Sequence, residues 1–301
     1  MNFSESGIKV SVIIPNLNST LVGQTVKSII KQESNIKFEI FVVGLDQPKL
    51  LLKYQDSINH IDPGEKIPPG VARNLGVLHS KGEYLIFIDS DAIANDNFIN
   101  GHLNAHKKKS NVIVGGSINF PKTPYLQLCD NIATFHEYMN HIPAGEKRII
   151  PTVNMSVSRE NFESLIGFNH NPAGEDSDFS KRAIQNNFLI HFEPGIGVLH
   201  LPNRKTIKDL LQHSFKLGRY TTIFSEFFND GSLGKAVLRS KLIRLMFSPI
   251  ITLLIVLKIY VLEKLPLEYW HTLPVVVLIK FSWCIGASLS SFDSHKFLSD
   301  I

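Results

Sequence analysis

The sequence predicts an α/β domain with a mostly parallel sheet flanked by helices, followed by a C-terminal hydrophobic helical hairpin. Short β-branched runs alternate with stretches of helical periodicity through the N-terminal third. An apolar run at 84–88 stops abruptly at two acids, as a buried strand does where it reaches a ligand-binding edge. Near the C-terminus, residues 245–262 and 272–291 are apolar stretches of ~18 to 20 residues, about the length of a bilayer span.

In chain order, residues 8–14 form a β-branched strand closed by Pro15, Asn16 and Asn18. Val22, Val26, Ile29 and Ile30 follow at helical spacing, then a buried strand at 38–43. Residues 69–78 read as a helix carrying Arg73 and Asn74, and 84–88 as the strand that ends at Asp89. Beyond Phe98 the alternation loosens, with helical patterns at 98–106 and 126–138 and a strand at 112–118. Residues 175–187 have an acidic first turn and then Phe179, Ala183 and Ile184 on one face, as an amphipathic helix should. Two short strands are expected at 188–192 and 196–200. The expected division is a catalytic domain over 1–230 and a membrane-associated helical region over 231–301.

A chain of 301 residues with 44% hydrophobic content supplies an ample core. Its formal charge of +4, from 31 Lys and Arg against 27 Asp and Glu, is too small for a nucleic-acid footprint and fits a membrane surface better. Cys129 and Cys284 stand far apart with no His at metal-ligand spacing, so neither a disulfide framework nor a zinc site is expected and a reducing compartment fits. Residues 1–7 lack the basic and apolar regions of a secretory signal, which places the first fold element in the cytoplasm.

Asp89-Ser90-Asp91 puts two carboxylates at the end of a core strand, where they can share a divalent cation and a sugar nucleotide; a helix N-cap with a spare acid is the plainer alternative. Glu175-Asp176 either stabilises a helix start by ~0.3 to 1 kcal/mol or supplies a general base. His200 at a strand end is either a structural histidine or a third ligand for Mn²⁺. The chain has neither GxxxxGK[ST] nor GxGxxG after its first strand, so a diphosphate would have to be neutralised by a divalent cation at Asp91, helped by Arg73 or another cation.

These pieces, in this order, resemble glycosyltransferase family 2. The matching segments are Ser11-Val12-Ile13-Ile14-Pro15-Asn16-Leu17-Asn18, Gly70-Val71-Ala72-Arg73-Asn74-Leu75-Gly76, Gly82 through Asp91, and Gly174-Glu175-Asp176, within residues 8–220. The resemblance implies a GT-A, Rossmann-like fold and an inverting transfer from a nucleotide-sugar donor, UDP-linked by preference, to an acceptor hydroxyl on a glycan or lipid-linked acceptor in cell-envelope or exopolysaccharide synthesis. It implies that Pro15, Asn16 and Asn18 lie under the nucleotide base, Arg73 lies near the base or diphosphate, and Asp89 lies nearer the ribose. Asp89, Asp91 and His200 would hold Mn²⁺ or Mg²⁺, Asp176 would be the catalytic base, and Asn154 and Glu175 would lie on the acceptor side. Many members carry an Asp-Asp pair directly after the second strand; here the chain reads Val42-Val43-Gly44-Leu45-Asp46, so Asp46 would have to reach the base from a shifted position.

At the C-terminus, Lys280 falls mid-stretch, where a charge costs ~2.5 to 3.5 kcal/mol, while Lys258 lies near an end. Lys235, Arg239, Lys241 and Arg244 precede the first stretch and would hold that flank in the cytoplasm. Two spans or an interfacial hairpin both fit, with Tyr269 and Trp270 in the connector. Two rival functions are a nucleotidyltransferase, which would need a glycine-rich basic loop absent from Pro15-Asn16-Leu17-Asn18-Ser19-Thr20, and a non-catalytic membrane-bound nucleotide-sugar-binding protein.

Overall fold

In the computed structural model, residues 7–108, 111–220, 240–263 and 265–290 are described. The elements in chain order are β1 (Val10–Leu17), α1 (Val22–Ile30), β2 (Phe38–Leu45), β3 (Asn59–Ile61), α2 (Pro69–His79), β4 (Tyr84–Ile88), β5 (Ala92–Ala94), α3 (Phe98–Lys108) and β6 (Val112–Asn119). They continue with α4 (Tyr125–Phe135), β7 (Gly145–Glu146), β8 (Asn154–Ser158), α5 (Arg159–Ser164), α6 (Glu175–Gln185), β9 (Leu189–His200), α7 (Ile207–Arg219), α8 (Lys241–Leu257) and α9 (Leu273–Ser288). The chain divides into two compact units, Met1–Pro121 with Glu137–Asn203, and Lys122–His136 with Arg204–Ile301. Helix α7, which falls in the 1–230 segment, clusters with the second of these units.

The first unit is built on a nine-stranded sheet of order β3-β2-β1-β4-β8-β6-β9-β5, with β7 paired to β9. Strands β3, β2, β1 and β4 are mutually parallel, with α1 connecting β1 to β2 and α2 connecting β3 to β4; β8 then enters antiparallel between β4 and β6. Near-continuous apolar runs make this possible, since Val12, Ile13, Ile14 and Leu85 to Ile88 are fully buried, as strands covered on both faces require. The two strands expected at 188–192 and 196–200 are one continuous β9. Glu193-Pro194-Gly195 does not break it, because the register against β6 shifts between Gly116 and Ser117 and the turn residues are taken up as a bulge.

An aromatic cluster of Phe87, Phe162, Phe168 and Phe179, with ring centroids 4.9–5.6 Å apart, ties the loop between α5 and α6 to the core. That loop begins with a strained residue. Ile166 has φ +61° and is 86% exposed; its N–H donates to Glu163 O and the Gly167 N–H to Phe162 O, closing α5 in a Schellman turn where glycine is the usual occupant. Arg182 holds this turn by donating to Leu165 O and Gly167 O.

In the second unit, α8 and α9 form a helical hairpin with α7 and α4 packed on α9. Its polarity is inverted relative to a water-soluble bundle. The inward positions of α8 are Arg244, Ser248, Thr252 and Val256, three of them polar, whereas Leu242, Met246, Ile250, Leu253 and Leu254 face outward. Arg244, expected as a flanking cytoplasmic charge, is fully buried and donates to Ser288 O and Ser290 O, capping the C-terminus of α9. Lys235 and Arg239 lie outside the described residues. Hydroxyls donate to backbone carbonyls across the α7–α9 contact, Ser214 to Ile279 O and Ser282 to Leu211 O, and the glycines Gly218 and Gly286 let the two backbones touch.

Replacing Ile166 with glycine removes the left-handed strain without touching a buried contact. Ile166→Gly should raise stability by about 1 kcal/mol, read as a higher urea midpoint at unchanged slope; a lower midpoint would mean that the turn is not strained.

Candidate functional site

Asp89, Ser90 and Asp91 connect β4 to β5 at the C-terminal edge of the parallel strands. The buried residues of β4 lead directly to them, and Asp89 and Asp91 emerge with 27% and 24% of their side chains exposed. Antiparallel pairing of β5 with β9 sets Ala92 opposite His200, and the Leu201 N–H donates to Asp91 O at 2.8 Å. His200 Nε2 therefore stands 3.6 Å from Asp91 Oδ1, although 109 positions separate them in the chain (200 − 91). That separation is too long for a hydrogen bond and close enough for both atoms to sit on one ion with ligand distances of ~2.1 Å. One carboxylate with one imidazole is the beginning of a donor set for an ion such as Mn²⁺, with the Asp89 carboxylate next to it but already bonded to Arg73.

Behind the acids lies Arg73 of α2, 2% exposed. Its Nη2 donates to Asp89 Oδ1 and its Nη1 to Glu175 Oε1, both at 2.6 Å, so one guanidinium clamps the end of β4 to the start of α6. Its Nε is buried and has no hydrogen-bond partner among the described residues. Burial disfavours the guanidinium charge, but Asp89 and Glu175 outweigh that cost and hold its pKa above the ordinary value. Burial, reinforced by Asp91, raises the Asp89 pKa against the opposing pull of Arg73 and His200.

Asp176 follows at the second position of α6, after Gly174 in a left-handed conformation. Its Oδ1 accepts the Ser177 N–H at 2.7 Å. Burial and the neighbouring Glu175 carboxylate push its pKa up to about 7, against the Ser177 N–H and Arg73, which pull it down. Asp176 is half-buried, in contrast to the enclosed Glu175.

At the end of β1, Asn16 donates to Leu45 O and accepts the Ser19 N–H, Asn18 accepts the Gln47 N–H, and Pro15 pairs with Val43. Ser19 Oγ donates to Ser90 O at 3.0 Å, tying this loop to the acid loop. Gly44 has φ +132°, and a Cβ there would lie 1.7 Å from Asn16 O, so no aspartate can occupy that place on β2. The acid falls instead at Asp46, whose carboxylate accepts the Leu50 and Leu51 N–H groups. Asp46 lines a cavity of about 290 Å³ with Lys49, Leu51, Gln55, Ile58 and His60.

Three expected placements change. Arg73 is committed to Asp89 and Glu175 rather than turned toward a diphosphate. Glu175 is buried as its partner, not presented to an acceptor. Asn154 is 1% exposed; its Oδ1 lies 2.9 Å from His102 Nε2 and its amide donates to Ser117 O and Ile196 O, so it braces the β9 bulge. Sequence reasoning missed the rest of this network, in which His102 Nδ1 and His106 Nε2 both lie 2.8 Å from Ser156 Oγ. Burial pushes the two imidazoles down to about 3 and about 4, so both are neutral. Their i, i+4 spacing among Phe98, Ile99 and Leu103 was the available sign that they face inward.

Comparison with known proteins bears on this geometry. The family described as "Glycosyl transferase family 2" matches residues 11–165, just over half of the chain. The uncharacterized glycosyltransferase YfnE of Bacillus subtilis is 33% identical over 116 residues, 36% of this chain and 30% of that protein, so the chain spans under a third of its length. Glycosyltransferase AglE of Haloferax volcanii is 24% identical over 220 residues, 70% of this chain and 72% of AglE. Among solved structures, the mannosyltransferase PcManGT from Pyrobaculum calidifontis, in complex with GDP-Man and Mn²⁺, superposes with a TM-score of 0.59 at 15% identity, covering 90% of this chain and 85% of that one. GalNAc-T7 with UDP, GalNAc and Mn²⁺ superposes with a TM-score of 0.55 at 15% identity, covering 74% of this chain and 50% of its own.

A buried clamp of this kind is costly to break from one side. Arg73→Met should lower stability by about 3–5 kcal/mol by leaving two carboxylates without their cation, and adding Glu175→Gln should recover part of the loss in urea unfolding. Equal stability of Arg73→Met and the wild type would show that the clamp carries no structural weight.

Proposed function

The chain belongs to glycosyl transferase family 2, and from that premise we propose that it is an inverting enzyme that moves a sugar from a nucleoside diphosphate, UDP by preference, to an acceptor hydroxyl. The observation that supports this most strongly is the convergence of four separate segments on one edge: the acid loop after β4, Arg73 from α2, the start of α6 and the end of β9. The Mn²⁺ in the two superposed structures supports a divalent metal here.

Asp91 and His200, with Asp89 beside them, would hold Mn²⁺ or Mg²⁺. When bound, the ion supplies Lewis-acid neutralisation of the negative charge that builds on the diphosphate. Asp176 accepts the proton of the acceptor hydroxyl as that oxygen forms its bond to the anomeric carbon. The bond from that carbon to the diphosphate breaks in the same displacement, and the diphosphate leaves with the electron pair, so the anomeric configuration inverts. A carboxylate with a pKa of about 7 is well matched to this proton transfer near neutral pH. Arg73 acts as a positioning residue, fixing Asp89 and, through Glu175, the first turn that carries Asp176.

The cavity beside Asp46 and His60 is the proposed seat of the base, with Asn16 and Asn18 shaping its approach. The acceptor is proposed to be lipid-linked or a growing polysaccharide of the cell envelope. Supporting this, Lys241–Leu262 and Leu267–Ser288, at 22 residues each, are long and apolar enough to cross a membrane by length and composition. Two buried free cysteines, Cys129 and Cys284, agree with a cytoplasmic catalytic face.

Asp176→Asn should lower kcat by about 10²–10⁴-fold while Mn²⁺-dependent nucleotide binding stays near the wild-type level; a kcat within tenfold of wild type would remove Asp176 from the role of base. The carboxylate must be ionised to accept a proton, so kcat/KM should rise with pH through a midpoint near 7, the value to which Asp176 is pushed. A profile flat from pH 5 to 8 would contradict the assignment.

A further inference from the structure

Both C-terminal helices are long enough to span a bilayer, yet their surroundings argue for a different placement. We propose that the α8–α9 hairpin lies in the plane of the membrane, embedded in one leaflet of an anionic bilayer, and does not cross it. This rests on the membrane association proposed above and specifies its form.

The first ground is what flanks the hairpin at its closed end. The connector between α8 and α9 is held by α4 and its neighbours: Tyr125 OH donates to His271 O at 2.9 Å, Lys122 pairs with Glu268 at 2.7 Å and His136 with Glu263 at 2.8 Å. Lys122 and His136 are bonded directly along the chain to Pro121 and Glu137, residues of the sheet unit. The closed end is therefore lined with charged and polar groups and carries two direct chain links to the sheet unit.

The second ground is what runs from that end toward the open one. Helix α7 starts just after Arg204, whose Nε donates to Asp130 of α4 at 2.5 Å, and it then packs along the second half of α9 through Ser214–Ile279, Leu211–Ser282 and Gly218–Gly286 to Arg219, which donates to Leu289 O. Its outward positions are Ile207, Lys208, Asp209, Gln212, Lys216 and Arg219, three cations against one acid. A spanning hairpin would carry this charged face into the hydrocarbon, where each cation is strongly disfavoured. With the hairpin in the plane of the membrane the conflict disappears. The stripe Leu242, Met246, Ile250, Leu253 and Leu257 enters the acyl region along its whole length, and the basic face of α7 meets anionic headgroups.

The test uses full-length protein with Cys129 and Cys284 replaced by alanine, added to sealed vesicles of equal parts phosphatidylglycerol and phosphatidylcholine, and carrying one cysteine at the closed end (Leu267→Cys, position 80% exposed) or the open end (Leu242→Cys, 67% exposed). Flotation with the vesicles reads the association, and a thiol reagent trapped in the lumen reads the topology. The expected result is flotation of both variants with no lumenal labelling of either. Flotation with lumenal labelling of one end overturns the in-plane placement and leaves membrane association standing. Failure to float, with or without formation of a stable dimer through the apolar stripe, overturns both. The pair Lys208→Gln and Lys216→Gln should weaken vesicle binding by roughly fivefold per residue; unchanged binding would remove α7 from the headgroup contact.

Discussion

The organisation of the site depends on a single buried cation. Arg73 has almost no exposed surface and is stable there only because Asp89 and Glu175 each supply a carboxylate at 2.6 Å. Those two acids come from segments far apart in the chain, so neutralising one guanidinium fixes the end of β4 relative to the first turn of α6. The arrangement leaves Asp176 more open than Glu175, while Asp89 and Asp91 are about equally exposed, at 27% and 24%. The two DxD carboxylates thereby acquire different environments: Asp89 faces a fixed internal cation, and Asp91 faces His200, brought to it by the β5–β9 register. In the proposed mechanism this separates a structural acid from a metal-binding one, and likewise Glu175 from the base Asp176.

The second unit is held together by a different balance. Its helices bury apolar residues such as Leu210, Val276 and Ile279 together with hydroxyls, glycines and one capping guanidinium, while the outward face of α8 is leucine, isoleucine and methionine. In water such an arrangement would leave a large apolar face of α8 exposed and forgo the gain from burying it. In lipid the same outward residues cost nothing and the inward polar contacts hold the helices together. Hydropathy alone registers the apolar residues and cannot register which way they face.

The parallel half of the sheet was legible because its strands are buried on both faces and their β-branched runs end in abrupt polar signals, as at Pro15-Asn16 and Asp89. Asp89, Asp91 and Asp176 were equally legible as candidates, since acids placed directly after a core strand or at a helix start stand out locally. Pairing was not legible. Nothing near Arg73 in sequence announces Glu175, 102 residues on, and so Arg73 read as a diphosphate ligand and Glu175 as an acceptor contact. Asn154 was found but misplaced, because its partners His102, Ser117 and Ile196 come from three other elements. The bulge in β9 hid behind Pro194-Gly195, which locally reads as a break and is tolerated only because β6 shifts register to accommodate it. Arg244 misled for the same reason, reading as a flanking charge until the carboxyl end of α9 was seen to receive it.

The central claim is that Asp91 and His200 organise a metal-dependent nucleotide-diphosphate site on this edge of the sheet. Calorimetric titration of UDP and GDP into the full-length protein, with and without Mn²⁺, and into Asp91→Asn, tests it most directly. The account predicts nucleotide binding that requires Mn²⁺ and is lost in Asp91→Asn while the fold is retained. Binding of equal affinity without metal, or undiminished in Asp91→Asn, would contradict it.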